Sequence, residues 1–162
     1  MVSPQLTLQI GADPRTWFLD DANYEVLSAQ LSEAAAPIAV PVFAPLAGRL
    51  LLNTIAAGSV WLGEPGYDSH GTHPTDDRLP GAPPFLYVPS ANPAIERPSG
   101  FYLDPGTDLA ALEQRIAAAM VEDAVVSVQV STVYGIGSIV LSGASLAYCV
   151  ICPSKRPGPL TG

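Results

Sequence analysis

The strongest constraint on the fold is a recurrence: Trp17-Phe18-Leu19-Asp20 returns as Phe101-Tyr102-Leu103-Asp104. After each copy come a short polar turn, a segment with helical spacing and a series of β-rich runs. Tyr24, Leu27 and Leu31 stand at i, i+3 and i+7, and Leu109, Leu112 and Ile116 repeat that spacing 85 residues later. Such spacing lays one apolar stripe along a helix. Ile38, Val40 and Val42 alternate with other residues, as do Val126, Val128 and Val130 88 residues on. That is the period of a strand with one buried face. Leu50 to Leu52 parallels Ile139 to Leu141, Val60-Trp61-Leu62 parallels Tyr148-Cys149-Val150, and Ala12-Asp13-Pro14 loosely resembles Ala91-Asn92-Pro93. The alternative is two unrelated α+β halves with ordinary periodicities, since the aligned residues are mostly common apolar types.

Each copy reads as β-β-α-β-β-β. Leu6 to Ile10 alternates as a strand, closed by a turn at Gly11-Ala12-Asp13-Pro14, and Trp17 to Leu19 is a short extended run. Asp20 or Asp21 then caps a helix to about Ala35, which Pro37 stops. Strands follow near 38–43, 49–55 and 58–62. The second copy opens at Phe85 to Val88, resumes at Phe101, forms a helix from about Thr107 to Val121, and closes with strands near 124–133, 137–142 and 145–151. The expected fold is therefore α+β: an internal duplication in which each unit packs one helix on a mainly antiparallel sheet and the two share one core. The divisions are a first α+β repeat over 1–62, a Gly/Pro/Asp-rich linker over 63–84, a second repeat over 85–152, and a Pro/Gly-rich tail over 153–162.

At 162 residues the chain suits one domain or two intimately packed subdomains, and it is long enough to bury a core. Hydrophobic residues make up 48% and charged residues only 14%, a sparse charge for a surface facing water alone. Part of that apolar surplus is expected to meet a protein partner. The net charge of −8, with one lysine and six arginines, provides no basic stripe for phosphates, so nucleic acid is not an expected partner. The start, Met1-Val2-Ser3-Pro4-Gln5, lacks a basic segment followed by a long apolar core, so a cleaved signal is not expected and the cytoplasm is the default compartment. Ala124 to Cys152 carries no charge and precedes Lys155-Arg156, as a membrane span and stop-transfer signal would. Yet Ser127, Gln129, Ser131 and Thr132 and the glycines at 135, 137 and 143 suit a meander of strands, so no membrane insertion is expected.

Candidate chemistry is thin. His70 and His73 form H-x-x-H in the linker, beside Asp68, Asp76 and Asp77, residue types that bind zinc. A Gly/Pro loop lacks the helix that fixes such ligands, and a solvated loop is the plainer reading. Cys149-Val150-Ile151-Cys152 is formally C-x-x-C, but on an apolar strand residues three apart point to opposite faces. The expectation is one buried thiol and one at the strand end. A joint site of both histidines and both cysteines has a good ligand set and no supporting spacing. Asp20 and Asp104, at matching places, read as helix caps or turn formers and not as a catalytic pair. No G-x-S-x-G elbow is present, and Gly135-Ile136-Gly137 has no helix after it to cradle phosphate. No catalytic residue, cofactor or metal is therefore assigned, and His70, His73, Cys149 and Cys152 remain weak metal candidates.

Three functional classes remain. The first is a non-enzymatic structural or assembly protein, a subunit of a virion or another multi-chain particle, whose partners are copies of itself or other subunits. The second is a soluble adaptor that binds a peptide or small ligand between the repeats or along a sheet edge. The third is a metal-dependent protein using the His70/His73 loop.

Overall fold

The strand that comes last in the chain lies inside its largest sheet. The structure, a computed structural model, describes residues 5–10, 13–33, 37–43, 47–54, 56, 59–63, 76, 78–88, 99–132 and 135–155. The chain is α+β, with two helices and a mainly antiparallel seven-stranded sheet among the described residues. Its elements run β1 (Gln5–Ile10), β2 (Asp13–Phe18), α1 (Asp21–Ser32), β3 (Ile38–Val42), β4 (Gly48–Leu52), β5 (Ser59–Gly63), β6 (Phe85–Val88), β7 (Ser99–Tyr102), α2 (Leu109–Glu122), β8 (Val125–Thr132), β9 (Gly135–Ser142) and β10 (Tyr148–Cys152). Thus β-β-α-β-β-β occurs twice. The expected turn over 11–14 is shorter than its residue types suggest, because Asp13 and Pro14 already belong to β2. Proline can sit there because β2 ends its sheet, where a missing N–H breaks no ladder. Pro41 in β3 ends the larger sheet in the same way.

The strands form a three-stranded sheet in the order β2-β1-β5 and a seven-stranded sheet in the order β3-β4-β10-β6-β7-β8-β9. A single antiparallel bridge, Phe18 to Phe43, links the end of β2 to the end of β3. Read through that bridge, the order in the first half is β5-β1-β2-β3-β4, and in the second half it is β10-β6-β7-β8-β9. The junction in the middle is narrow in both, for among the described residues β7 meets β8 only at Tyr102 and Ser131. Registers correspond too: Ile38 faces Leu52 and Val40 faces Leu50, while Val126 faces Leu141 and Val128 faces Ile139. Leu6 lies between Trp17 and Leu62, and Leu86 between Phe101 and Ile151. This pairing sets Leu62 against Ile151, one residue along from the match expected with Val150. Consecutive apolar residues leave the phase of such a strand open, and a one-residue slip exchanges its faces.

Two apolar clusters occupy the two faces of the large sheet, in place of one shared core. Leu27 of α1, Trp17 and Leu19 pack with Ile38, Val40, Val42, Leu50, Leu52, Tyr148, Val150 and Cys152 on one face. Leu112, Ile116, Ala119 and Met120 of α2 pack with Leu51, Leu86, Val126, Val128, Val130, Cys149 and Ile151 on the other. Strand alternation produces the division, since neighbouring residues of β10 enter different clusters. The leucines of the two recurring tetrapeptides, Leu19 and Leu103, are buried one in each cluster. Both halves therefore contribute to both cores.

Candidate functional site

Of the weak metal candidates, His70 and His73 lie outside the described residues, as do Asp68 and Asp77. The two cysteines are described, and β10 sends them to opposite sides of the sheet: Cys149 into the α2 cluster and Cys152 into the α1 cluster. One ion cannot take both. Cys152 is the last residue of β10, and both thiols are buried. Burial pushes Cys152 up to about 12, partly opposed by the nearby Arg78 charge. Cys149 is driven well above the ordinary thiol range, first by burial and then by the charge of Glu113 and by Cys152. A buried neutral thiol is a poor nucleophile and a poor metal ligand. Among the described residues no three His, Cys, Asp or Glu side chains gather as a metal site.

The paired aspartates part company. Asp20 is the N-cap of α1, its carboxylate accepting from the Asn23 N–H at 2.7 Å. Asp104 instead closes a turn, accepting from Gly106 N–H at 2.8 Å, and the cap of α2 is Asp108, which accepts from Ala111 N–H at 3.1 Å. The helix starts later than Thr107, so Asp108 holds the capping position.

The densest polar cluster was not singled out by motif. Arg78, in the linker, is 7% exposed. Its Nε donates to Asp76 Oδ1 at 3.0 Å and its Nη2 to Oδ2 at 3.1 Å, while Nη1 donates to the carbonyls of Pro83 and Pro153, each at 2.9 Å. The guanidinium also lies 5.7 Å from the centre of the Phe85 ring. Lys155 Nζ donates to the Arg78 carbonyl at 2.6 Å, and its N–H to the Ala82 carbonyl at 2.9 Å. These contacts tie the entrance of β6 to the exit of β10. The end of the linker is thus anchored through Arg78 and Ala82, while Leu79 between them stays exposed. Each interaction is internal, so the cluster is a clasp.

The outer face of β8 and β9 is mixed, with three valine or isoleucine side chains among the exposed Ser127, Gln129, Ser131, Ser138 and Ser142. Val125, Ile136 and Val140 are 69%, 73% and 65% exposed. Alternation puts them together on the side of β8 and β9 away from α2, because Val126, Val128 and Val130 face that helix. They lie beside the edge of β9, which ends the seven-stranded sheet. No described helix is long and apolar enough to cross a membrane. Comparison of the chain with protein-family models, with characterised proteins and with solved structures finds no match.

Proposed function

We propose that the chain is a non-enzymatic assembly protein built from two copies of one β-β-α-β-β-β unit, and that it works as a subunit of a multi-chain complex. The observation that carries the proposal is the exposed pair Val125 and Val140, diagonal neighbours on the outer face of β8 and β9, with Ile136 further along the same terminal strand. Large apolar side chains left exposed beside a strand that ends its sheet among the described residues favour the binding of another chain there. The shared strand order and register of the two halves support the duplication. The polar cluster around Arg78 is spent on internal contacts and leaves no catalytic group exposed there.

Native mass measurement over a range of concentrations tests the reading. An assembly protein gives a mass of several chains, alone or with its partner subunit. A chain that is strictly monomeric at high concentration and recovers no defined complex from its source overturns it.

A further inference from the structure

The two strands that end the bridged order among the described residues, β9 and β5, carry neither charge nor proline: their sequences are GIGSIVLS and SVWLG. Charges and prolines are two of the devices that blunt a sheet edge. The other two end strands are blunted, β2 by Asp13, Pro14 and Arg15 and β3 by Pro41.

The chain already contains one junction between an edge of the first half and an edge of the second. There β4 pairs antiparallel with β10, with Leu51 opposite Cys149 and Leu50 opposite Val150. In the matched strand orders, β9 takes the place of β4 and β5 takes the place of β10. Gly48 makes the β4–β10 approach possible, since a Cβ there would lie 2.5 Å from the Ile151 carbonyl oxygen. Gly137 holds the matching place in β9: it faces Val130 as Gly48 faces Val42. Val140 matches Leu51, yet Leu51 is 1% exposed within the α2 cluster and Val140 is 65% exposed. What covers Leu51 is the neighbouring unit, and among the described residues no strand lies beside β9 in the same way.

We infer that β9 of one copy pairs antiparallel with β5 of a second copy, repeating the β4–β10 junction between chains. This rests on the assembly reading and names its partner as the same chain. The register follows from the internal junction: Val140 opposite Val60, Ile139 opposite Trp61 and Ser138 opposite Leu62. The internal step moves along the sheet, reverses strand direction and carries the helix to the opposite face. That is a two-fold screw, and repeating such a head-to-tail contact gives an open string instead of a closed dimer.

Two variants of the full chain test it. Sedimentation of the wild type should show mass growing with concentration without a fixed end point, and Val140→Lys should return it to single-chain mass. Val121→Lys, at a valine 64% exposed on α2, should not. In the second test, Val140→Cys and Val60→Cys chains are mixed under mild oxidation; opposed strand positions lie within disulfide reach. A disulfide dimer should form from the mixture and from neither variant alone. A Val140→Cys homodimer would show β9 paired with β9 and overturn the inference. So would a wild type that assembles unchanged by Val140→Lys and yields no mixed disulfide, although the assembly reading would then stand. A strictly monomeric wild type that recovers no complex overturns both.

Discussion

Arg78 holds Asp76 by both of its carboxylate oxygens, although only one residue separates them in the chain, and uses its remaining reach to bind the carbonyls of Pro83 and Pro153. Removing the guanidinium leaves a partly buried carboxylate and two carbonyls without their donor. Arg78→Ala should therefore cost about 3 kcal/mol, as loss of one partner of a buried pair does. Arg78→Lys should recover little of it, because an ammonium cannot supply the planar fork. Denaturant midpoints of the three proteins measure both effects.

The same pair sets an acid limit. Burial works to raise the Asp76 carboxyl, but the hydrogen bonds and charge of Arg78, joined by Lys155, hold it below its ordinary value of 3.8. A folded-state value below the unfolded one means that the pair's contribution is fully present above the unfolded value. It is lost as pH falls through the folded value. Urea midpoints should thus be insensitive to this group between neutral pH and about 4, then drop on further acidification. Asp76→Asn should lower stability at neutral pH and shrink that acid-side drop.

Gly143 lies beneath the end of α2. A Cβ there would meet the Ala119 carbonyl oxygen at 2.1 Å and the Met120 nitrogen at 2.7 Å, both backbone atoms that cannot swing aside. The Gly143 N–H also donates to the Ala124 carbonyl, which fixes the turn against the helix. Gly143→Ala should destabilise by about 1 to 3 kcal/mol through overpacking. Thermal unfolding reads this directly.

Thiol chemistry should report unfolding. Cys149 and Cys152 are fully buried and held neutral at physiological pH. A thiol reagent should label them only as fast as the chain opens, and faster in the Arg78→Ala variant. Cys149→Ser should cost about 2 kcal/mol, since it places a hydroxyl in an apolar cluster without a partner. Rapid labelling of the native protein would contradict this packing.

The two aspartates before α2 should be separable. Asp108→Ala removes the helix cap and should cost about 1 kcal/mol. Asp104→Ala removes a hydrogen bond within an exposed turn and should cost less. Helical circular dichroism during denaturation distinguishes them.

Much of the element order was legible because apolar spacing in this chain is clean. Leu27 and Leu31, like Leu112 and Ile116, mark the helices, and the valines of β3 and β8 mark strands with one buried face. Opposite orientation of Cys149 and Cys152 followed from alternation alone. Long-range pairing was less accessible. Nothing local in Leu50-Leu51-Leu52 or Cys149-Val150-Ile151 says that these strands lie side by side, and a strand buried on both faces has no alternation to read. For that reason one core was expected where two exist. Arg78 was passed over because its pairing with Asp76 forms no known motif, and its other two partners are prolyl carbonyls, one of them 75 residues away, which leave no trace in a sequence. Asp108 was missed because the helix was expected to start near Thr107, which left Asp104 as the acidic residue before it.

The central place of β10 has a consequence for the order in which the molecule can form. On a ribosome, β4 and β6 emerge well before the strand that lies between them. Until Tyr148 to Cys152 is made, β3-β4 and β6-β7-β8-β9 are separate pieces, each with an unsatisfied border, and each helix covers only part of its floor. Completion is thus a late, long-range event, slow in the way non-local strand pairing is slow. A nascent chain stalled before Tyr148 would display the very surfaces that the finished chain keeps inside.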